Sequence, residues 1–107
     1  MKRKDDSSHP LLRSFCQVIQ ERRDFLNISQ EELAHRAGLH RTYISDIERG
    51  SRNISLRSLI RLASALELSA SSLIRVAEQK LISKDGLIGS DVWIELSDDQ
   101  LDKSFNR

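Results

Sequence analysis

Apolar residues recur at intervals of three and four along most of the first 77 positions, which is the spacing of one face of an α-helix. The first such segment follows Pro10, a residue suited to the start of a helix because its missing N–H group loses no hydrogen bond there. We therefore predict a first helix from about Leu11 to Phe25. Its helically spaced positions are Leu12, Phe15, Ile19, Arg22 and Leu26.

Serine and glycine mark the ends of the next two helical segments. Ser29 stands three residues before Glu32, which is the spacing of a capping box at a helix N-terminus. Gly38 follows where a left-handed C-cap residue is expected, and a third helix is predicted over 41–49, ending at Gly50. The residues predicted to face inward from these two helices are Leu33, Ala34, Ala37, Ile44 and Ile47.

Two more helices are predicted before residue 78, each preceded by a serine that can act as the N-cap. Ser55 precedes the fourth helix, and Ser69 precedes a short fifth one. The residues predicted to face inward are Leu56, Leu59, Ile60, Ala63 and Leu66 in the fourth helix and Leu73, Ile74 and Ala77 in the fifth. Five short helices with short loops predict a mainly α domain over residues 11–77, preceded by a flexible N-terminus at 1–10.

The pattern changes in residues 78–107, which form a C-terminal extension. β-Branched and aromatic residues at 92–94 favour a strand, and we predict either a short β-hairpin that pairs 87–88 with 92–96 or a strand extension. A lone two-stranded hairpin is marginally stable in water, so another part of the protein must cover Trp93. The cover is either the helical domain of the same chain or the same segment of a second chain, and the pattern is consistent with both.

Chain length and charge distribution indicate how many domains the protein has and what kind of partner it binds. The 107 residues leave room for one compact domain with a small appendage. Residues 1–77 carry 13 Lys and Arg against 9 Asp and Glu, whereas residues 78–107 carry 4 against 7, so a basic body precedes an acidic tail. This division is typical of a chain whose first part meets a polyanion.

Hydropathy and cysteine content indicate the cellular compartment in which the protein is expected. No apolar run is long enough to cross a membrane, and the basic N-terminus is not followed by the apolar stretch of a secretory signal. The single cysteine, Cys16, fits a reducing compartment and lies among apolar residues of the first helix. We therefore predict a cytoplasmic protein with a buried thiol and no membrane partner.

The stretch SQEELAHRAGLHRTYISDIERGS, from Ser29 to Ser51, contains two short predicted helices separated by a glycine turn, which is a helix-turn-helix arrangement. Taken together with SLRSLIRLASALELSASSLI, it resembles the Cro/C1 (xenobiotic-response-element) class of phage-repressor-like regulators. It looks especially similar to the controller proteins of restriction–modification systems. The resemblance covers about residues 11–77 and implies a sequence-specific, DNA-binding transcriptional regulator of bacterial or phage type.

The resemblance implies that the third helix lies in the major groove and that its N-terminal residues meet base edges. Arg41 falls at the first such position, where an arginine can form a bidentate pair with guanine, and the methyl group of Thr42 suits thymine. Tyr43 is expected to contact the DNA backbone or a base edge. Asp46 lies at another contact position of the family, where its carboxylate would either accept from cytosine or orient Arg41 or Arg49.

Phosphate contacts are expected on both sides of that helix. Gln30 resembles the glutamine with which the family holds a phosphate at the N-terminus of its second helix, where free amides and the helix dipole favour an anion. The remaining phosphate contacts expected are Ser45, Arg49, Ser51, Arg52 and Asn53. Arg23 and Glu48 match positions that form an ion pair in some relatives, and they are expected to orient the third helix without touching DNA.

A single recognition helix reads only a few base pairs, so a homodimer is expected on a palindromic operator with half-sites about 34–36 Å apart. The predicted dimer interface in the C-terminal extension consists of Ile88, Val92, Trp93, Ile94 and Leu96. Relatives without this extension often pair through the fifth helix, which keeps Leu73, Ile74 and Ala77 as candidates. Double-stranded DNA and a second copy of the chain are the expected partners, and RNA polymerase is a further candidate.

Other classes of protein explain less of the sequence. A protein-interaction module with the same fold, such as an antitoxin or adaptor, would explain the extension but not Arg41 and Gln30. An enzyme would need a nucleophile–base pair, a phosphate loop or a metal cluster, and none of these is visible. His35 and His40 lie five residues apart across a turn and form no ligand set. We expect no catalytic residues, no metal and no cofactor.

Overall fold

The computed structural model describes residues 9–83 and 92–93, and the described residues form five α-helices and no strand. The helices are α1 (Pro10–Phe25), α2 (Gln30–Ala37), α3 (Arg41–Glu48), α4 (Leu56–Ala65) and α5 (Ala70–Ile82). α1 packs mainly against α5, while α2 packs against α3 and α4. The prediction of a mainly α, five-helix domain is confirmed. None of these helices combines the length and the apolar character that a membrane span requires.

Short local signals start and stop the helices. Three N-cap serines each accept a hydrogen bond from the backbone N–H three residues later, at 3.0, 3.0 and 3.1 Å; they are Ser29, Ser55 and Ser69. Gly38 ends α2 in the left-handed conformation, with φ of 68°. His9 caps α1 through its ring Nδ1, and Pro10 is the first helical residue. These two residues therefore belong to the start of α1, and the rest of the predicted flexible N-terminus lies outside the described residues.

The core lies between the helices and is built mostly from positions that the periodicity predicted. Buried as predicted are Phe15, Ile19, Leu33, Ala34, Ala37, Ile44, Ile47, Ala63, Leu66, Leu73 and Ala77, with Leu12, Leu26, Leu59 and Ile74 packed at the edge. Two predictions for α4 are wrong, because Leu56 is 70% exposed and Ile60 is 53% exposed, while Leu62 is fully buried. Successive helical residues are about 100° apart, so Ile60 and Leu62 point in nearly opposite directions. Packing of α4 against α2 and α5 buries the side that carries Leu62.

Buried polar contacts tie α1 to α5. The Ser14 hydroxyl donates a hydrogen bond to the Ala77 carbonyl at 2.6 Å, and Lys80 Nζ lies 2.7 Å from Glu21 Oε2. α5 continues to Ile82, beyond residue 77, which is the predicted end of the helical domain. Cys16 is buried in the same core, and the loss of surrounding water raises the pKa of its thiol.

Trp93 is covered by the helical domain of its own chain, which is one of the two arrangements considered for it. Its side chain is 3% exposed, and its ring lies 6.5 Å from that of Phe25 and 5.3 Å from the Arg22 guanidinium. Val92 and Trp93 have helical backbone conformation, so the predicted strand is wrong at these positions. Burial against α1 outweighs their β propensity, which mostly reflects the packing partners available. Outside the described residues lie Ile88, Ile94 and Leu96, the other predicted interface residues.

Candidate nucleic-acid interface

Glu48 joins three helices beneath the predicted interface. Its carboxylate accepts hydrogen bonds from Arg23 Nε at 2.7 Å and Nη2 at 3.0 Å, which makes a bidentate ion pair between α1 and α3. The Gln30 side-chain amide of α2 donates to the same carboxylate at 2.9 Å. The Arg23 and Glu48 side chains are 13% and 5% exposed, and their hydrogen bonds raise the pKa of the Arg23 guanidinium. The expected ion pair is thus present, and it fixes α3 relative to α1 and α2.

α3 turns one flank to the core and the other to solvent. Ile44 and Ile47 are fully buried, whereas Arg41 and Thr42 at the start of the helix are exposed. Tyr43 is half-buried beside them. Within residues 9–83 and 92–93, the Arg41 side chain forms no hydrogen bond or ion pair, so its five N–H donors are available to an external acceptor.

Asp46, the remaining predicted base contact, is engaged within the chain. Its carboxylate forms ion pairs with Arg49 at the end of α3 and with Arg52 in the following loop, whose Nε lies 3.3 Å away. Arg49 Nη1 also donates to Ser45 Oγ at 2.6 Å. The Arg52 guanidinium lies 5.3 Å from the centre of the Tyr43 ring, a cation–π contact. The Asp46 cluster, as we name it, comprises Tyr43, Ser45, Asp46, Arg49 and Arg52.

The loop between α3 and α4 is held against the Asp46 cluster. The Ser51 hydroxyl and the Ser51 N–H both donate to the Asp46 carbonyl, at 3.1 and 3.0 Å. Gly50 allows the chain to turn there, with φ of 76°. The Asn53 carbonyl lies 3.5 Å from the Tyr43 hydroxyl. The loop residues that are predicted to contact phosphates therefore lie directly beside the outer flank of α3.

The pairing of Asp46 with Arg52 is not predicted from the sequence. Arg41 and Arg49 are the predicted partners of Asp46, and the structure shows only the contact with Arg49 among the described residues. The three-residue spacing of Asp46 and Arg49 is a signal that the sequence contains. Arg52 reaches the same carboxylate only because the loop turns back, and no local spacing indicates that.

The remaining predicted residues have simpler surroundings. Gln30 is the first residue of α2 and is half-buried, and its side-chain amide is the group that donates to Glu48. His35 and His40 are exposed. In the part of the chain that the structure describes, no group of three or more His, Cys, Asp or Glu side chains is placed to hold a metal ion.

Comparison with known proteins finds relatives of the helical part of the chain. The family model described as Helix-turn-helix matches residues 19–73. The control protein C.SmaI of Serratia marcescens is 48% identical over 65 residues, which span 61% of this chain and 68% of that protein. The control protein C.BamHI of Bacillus amyloliquefaciens is 52% identical over 48 residues, which span 45% of this chain and 59% of that protein.

Solved structures of controller proteins share the fold. The restriction–modification controller protein C.AhdI from Aeromonas hydrophila is 41% identical with a TM-score of 0.56, over 59% of this chain and 94% of that one. The controller protein C.Esp1396I, solved as a tetramer in complex with its natural 35-base-pair operator, is 36% identical with a TM-score of 0.65. That match covers 68% of this chain and 96% of the other. The resemblance to restriction–modification controller proteins is thereby confirmed.

Proposed function

This chain belongs to the helix-turn-helix family, and from that membership we propose that it is a transcriptional regulator that binds double-stranded operator DNA. The observation that carries the proposal is the start of α3, where Arg41 and Thr42 are exposed while Ile44 and Ile47 anchor the helix in the core. An α-helix fits the major groove of B-DNA, and side chains at its N-terminal end reach base edges. The similar C.Esp1396I protein was solved on its operator, which supports the same use of the fold here.

Base contacts come from the outer flank of α3 in this proposal. Arg41, without a partner among the described residues, offers the guanidinium fork that matches O6 and N7 of guanine. Thr42 offers a methyl group to thymine and a hydroxyl group that can hydrogen-bond to a base edge. Tyr43 contacts the backbone or a base edge through its hydroxyl. Asp46 meets a base only after release from the two arginines that it holds in the free chain.

Phosphate contacts flank the groove on both edges of this surface. On one edge, Gln30 lies in the first turn of α2, where backbone N–H groups and the helix dipole attract an anion. The residues proposed for the other edge are Ser45, Arg49, Ser51, Arg52 and Asn53. Each phosphate neutralised by an arginine steepens the dependence of log affinity on log salt by about 0.9.

The regulator acts as a homodimer on a palindromic operator in this proposal, because one recognition helix selects too few base pairs. Leu73 and Ala77 of α5 are fully buried, so they are not available to a partner. Ile74 of α5 is only partly buried and stays a candidate, and Leu56 and Ile60 of α4 are exposed. Trp93 is already buried within its own chain. The interface residues that we retain from the extension are Ile88, Val92, Ile94 and Leu96. RNA polymerase as a further partner stays a prediction.

Selection of bound duplexes from a random-sequence pool tests the DNA-binding function. We expect the enriched sequence to be an inverted repeat whose half-site centres are about one helical turn apart. Arg41→Ala is expected to weaken binding to that sequence about 10- to 100-fold, since a bidentate arginine–guanine pair discriminates by about 1–3 kcal/mol. Arg57→Ala removes the same charge from an exposed position on α4 and should leave the affinity nearly unchanged.

A pool without any enriched sequence would contradict this function and favour a protein partner instead. Sedimentation of the full chain tests the homodimer separately, and a monomer at concentrations that saturate the operator would contradict it. Loss of the dimer on deletion of residues 94–107, which leaves the buried Trp93 in place, locates the interface in the extension. Loss in Ile60→Glu locates it on α4.

A further inference from the structure

The Asp46 cluster contains an arrangement that the proposed DNA contacts do not explain. Arg49 and Arg52, both expected at phosphates, are held by one carboxylate in the free chain. We propose that Asp46 is an intramolecular competitor of DNA phosphates, which occupies both arginines until phosphate oxygens displace it. This inference rests on the proposed DNA-binding function and adds a residue that sets its affinity.

A carboxylate and a phosphate are chemically equivalent partners for a guanidinium, because both accept its N–H groups in charge-assisted hydrogen bonds. The Asp46 side chain is 17% exposed, whereas those of Arg49 and Arg52 are 62% and 53% exposed. Phosphate oxygens therefore reach the arginines from solvent. The two long, exposed side chains move to the phosphates while the short carboxylate stays on α3.

The carboxylate also changes the charge that this surface presents to DNA. Together, Asp46, Arg49 and Arg52 carry one net positive charge, whereas the two arginines alone would carry two. Ser45 and Tyr43 are neutral and leave this balance unchanged. An approaching phosphate is therefore attracted less strongly, and it is also repelled by the carboxylate at short range.

Asp46 contributes little to the stability of the fold. It lies in the last turn of α3, which ends at Glu48, and a carboxylate near a helix C-terminus is disfavoured by the helix dipole. Its partners are more than half exposed, and solvent screens such ion pairs. Glu48 is the acidic residue of α3 that is buried and holds the helix in place. The Asp46 contacts can thus be exchanged on binding without loss of the folded domain.

Binding of a random-sequence duplex by Asp46→Asn tests the inference, because such binding depends on phosphate contacts and excludes base reading by Asp46. We expect Asp46→Asn to bind this duplex about fivefold more tightly than wild type in fluorescence anisotropy titrations at low salt. The slope of log affinity against log salt is expected to stay nearly the same as in wild type, because both arginines reach phosphates in either complex.

Two further variants separate this effect from a general change of charge. Glu78→Gln removes the same charge from an exposed position on α5 and is expected to bind as wild type does. In a protein that already carries Arg49→Gln and Arg52→Gln, Asp46→Asn is expected to tighten binding much less, because only the repulsion between the carboxylate and phosphate remains to be removed. Thermal unfolding of each variant verifies that it is folded.

The inference is overturned if wild type binds the random duplex and Asp46→Asn binds it no more tightly. That result would leave the proposed function intact. The inference is also overturned if Glu78→Gln tightens binding equally, or if Asp46→Asn tightens binding by the full amount in the protein that lacks the two arginines. Failure of both wild type and Asp46→Asn to bind any duplex at low salt rejects the DNA-binding function itself. The two failures are therefore distinguishable in one set of titrations.

Discussion

Asp46 and Glu48 lie two residues apart on α3 and have opposite surroundings. Glu48 faces α1 and α2, where it accepts hydrogen bonds from Arg23 and Gln30. Asp46 lies on the outer flank of α3, paired with arginines that solvent reaches. Because successive helical residues are about 100° apart, a step of two residues carries a side chain from one flank of the helix to the other. Burial decides which of the two acidic residues supports the fold.

Glu48→Ala is expected to lower the free energy of unfolding by about 3 kcal/mol, because it leaves a largely buried guanidinium without its main acceptor. That guanidinium belongs to Arg23, whose side chain is 13% exposed. Urea unfolding followed by circular dichroism measures the loss. Glu32→Ala breaks the exposed ion pair with Arg36 and should lower the same free energy by less than about 1 kcal/mol. Equal losses in the two variants would contradict a structural role for the Glu48 contact.

The turn between α2 and α3 sets the direction in which α3 leaves the core. Gly38 ends α2 with φ of 68°, and the Leu39 N–H then donates to the Ala34 carbonyl at 2.9 Å. Glycine adopts this left-handed conformation without the steric cost that an L side chain has. A Cβ atom at this position would meet only Arg61 Nη1, at an ordinary 3.8 Å. The backbone conformation, rather than a lack of space, therefore requires glycine here.

Gly38→Ala is expected to lower the free energy of unfolding by about 1–2 kcal/mol, because an alanine Cβ makes the left-handed backbone conformation unfavourable. Gly38→Asn, the matched control, adds a larger side chain but is expected to lose less, because asparagine tolerates this conformation better. Thermal unfolding of both variants measures the difference. If the asparagine variant were the less stable of the two, crowding and not backbone strain would be the cause.

Trp93, in the C-terminal extension, packs against the helical domain at Arg22. This residue is fully buried, and its guanidinium lies 5.2 and 5.3 Å from the ring centres of Phe25 and Trp93. Its Nε donates to the Leu66 carbonyl at 2.9 Å. Burial lowers the pKa of the guanidinium, and the charge of Glu67 opposes that shift. One buried cation thus connects α1, the α4–α5 turn and the extension.

Trp93 is the sole tryptophan of the chain, so its fluorescence reports whether the extension is docked. We expect emission at shorter wavelength than in the urea-unfolded chain and weak quenching by acrylamide. Trp93→Ala is expected to lower the free energy of unfolding by about 3 kcal/mol, as for other large buried side chains. Ile82→Ala, at a position that is 82% exposed, is the control and should change it little. A native emission spectrum like that of the unfolded chain would contradict the docking.

Most of the architecture was predictable because its signals act over a few residues. A capping serine bonds to an N–H group three residues away, and a left-handed glycine ends its own helix. The buried face of α4 was less predictable, since Leu56, Ile60 and Leu62 place apolar side chains on several sides of that helix. Periodicity then permits more than one inward face, and only the helices packed against α4 select one.

The candidate interface likewise contains some features that the sequence predicts and others that it does not. Arg41 and Thr42 could be placed on an exposed helix start from the motif, and the structure exposes them. The contact of Asp46 with Arg52 could not, because it depends on the path of a loop. The chain sequence thus determined where the helices begin and end and which residues occupy the outer flank of α3, since backbone hydrogen bonds and steric preferences are local. Tertiary structure alone decided that Trp93 joins the core and which partners hold Arg22 and Asp46, since burial depends on segments that are distant in the chain.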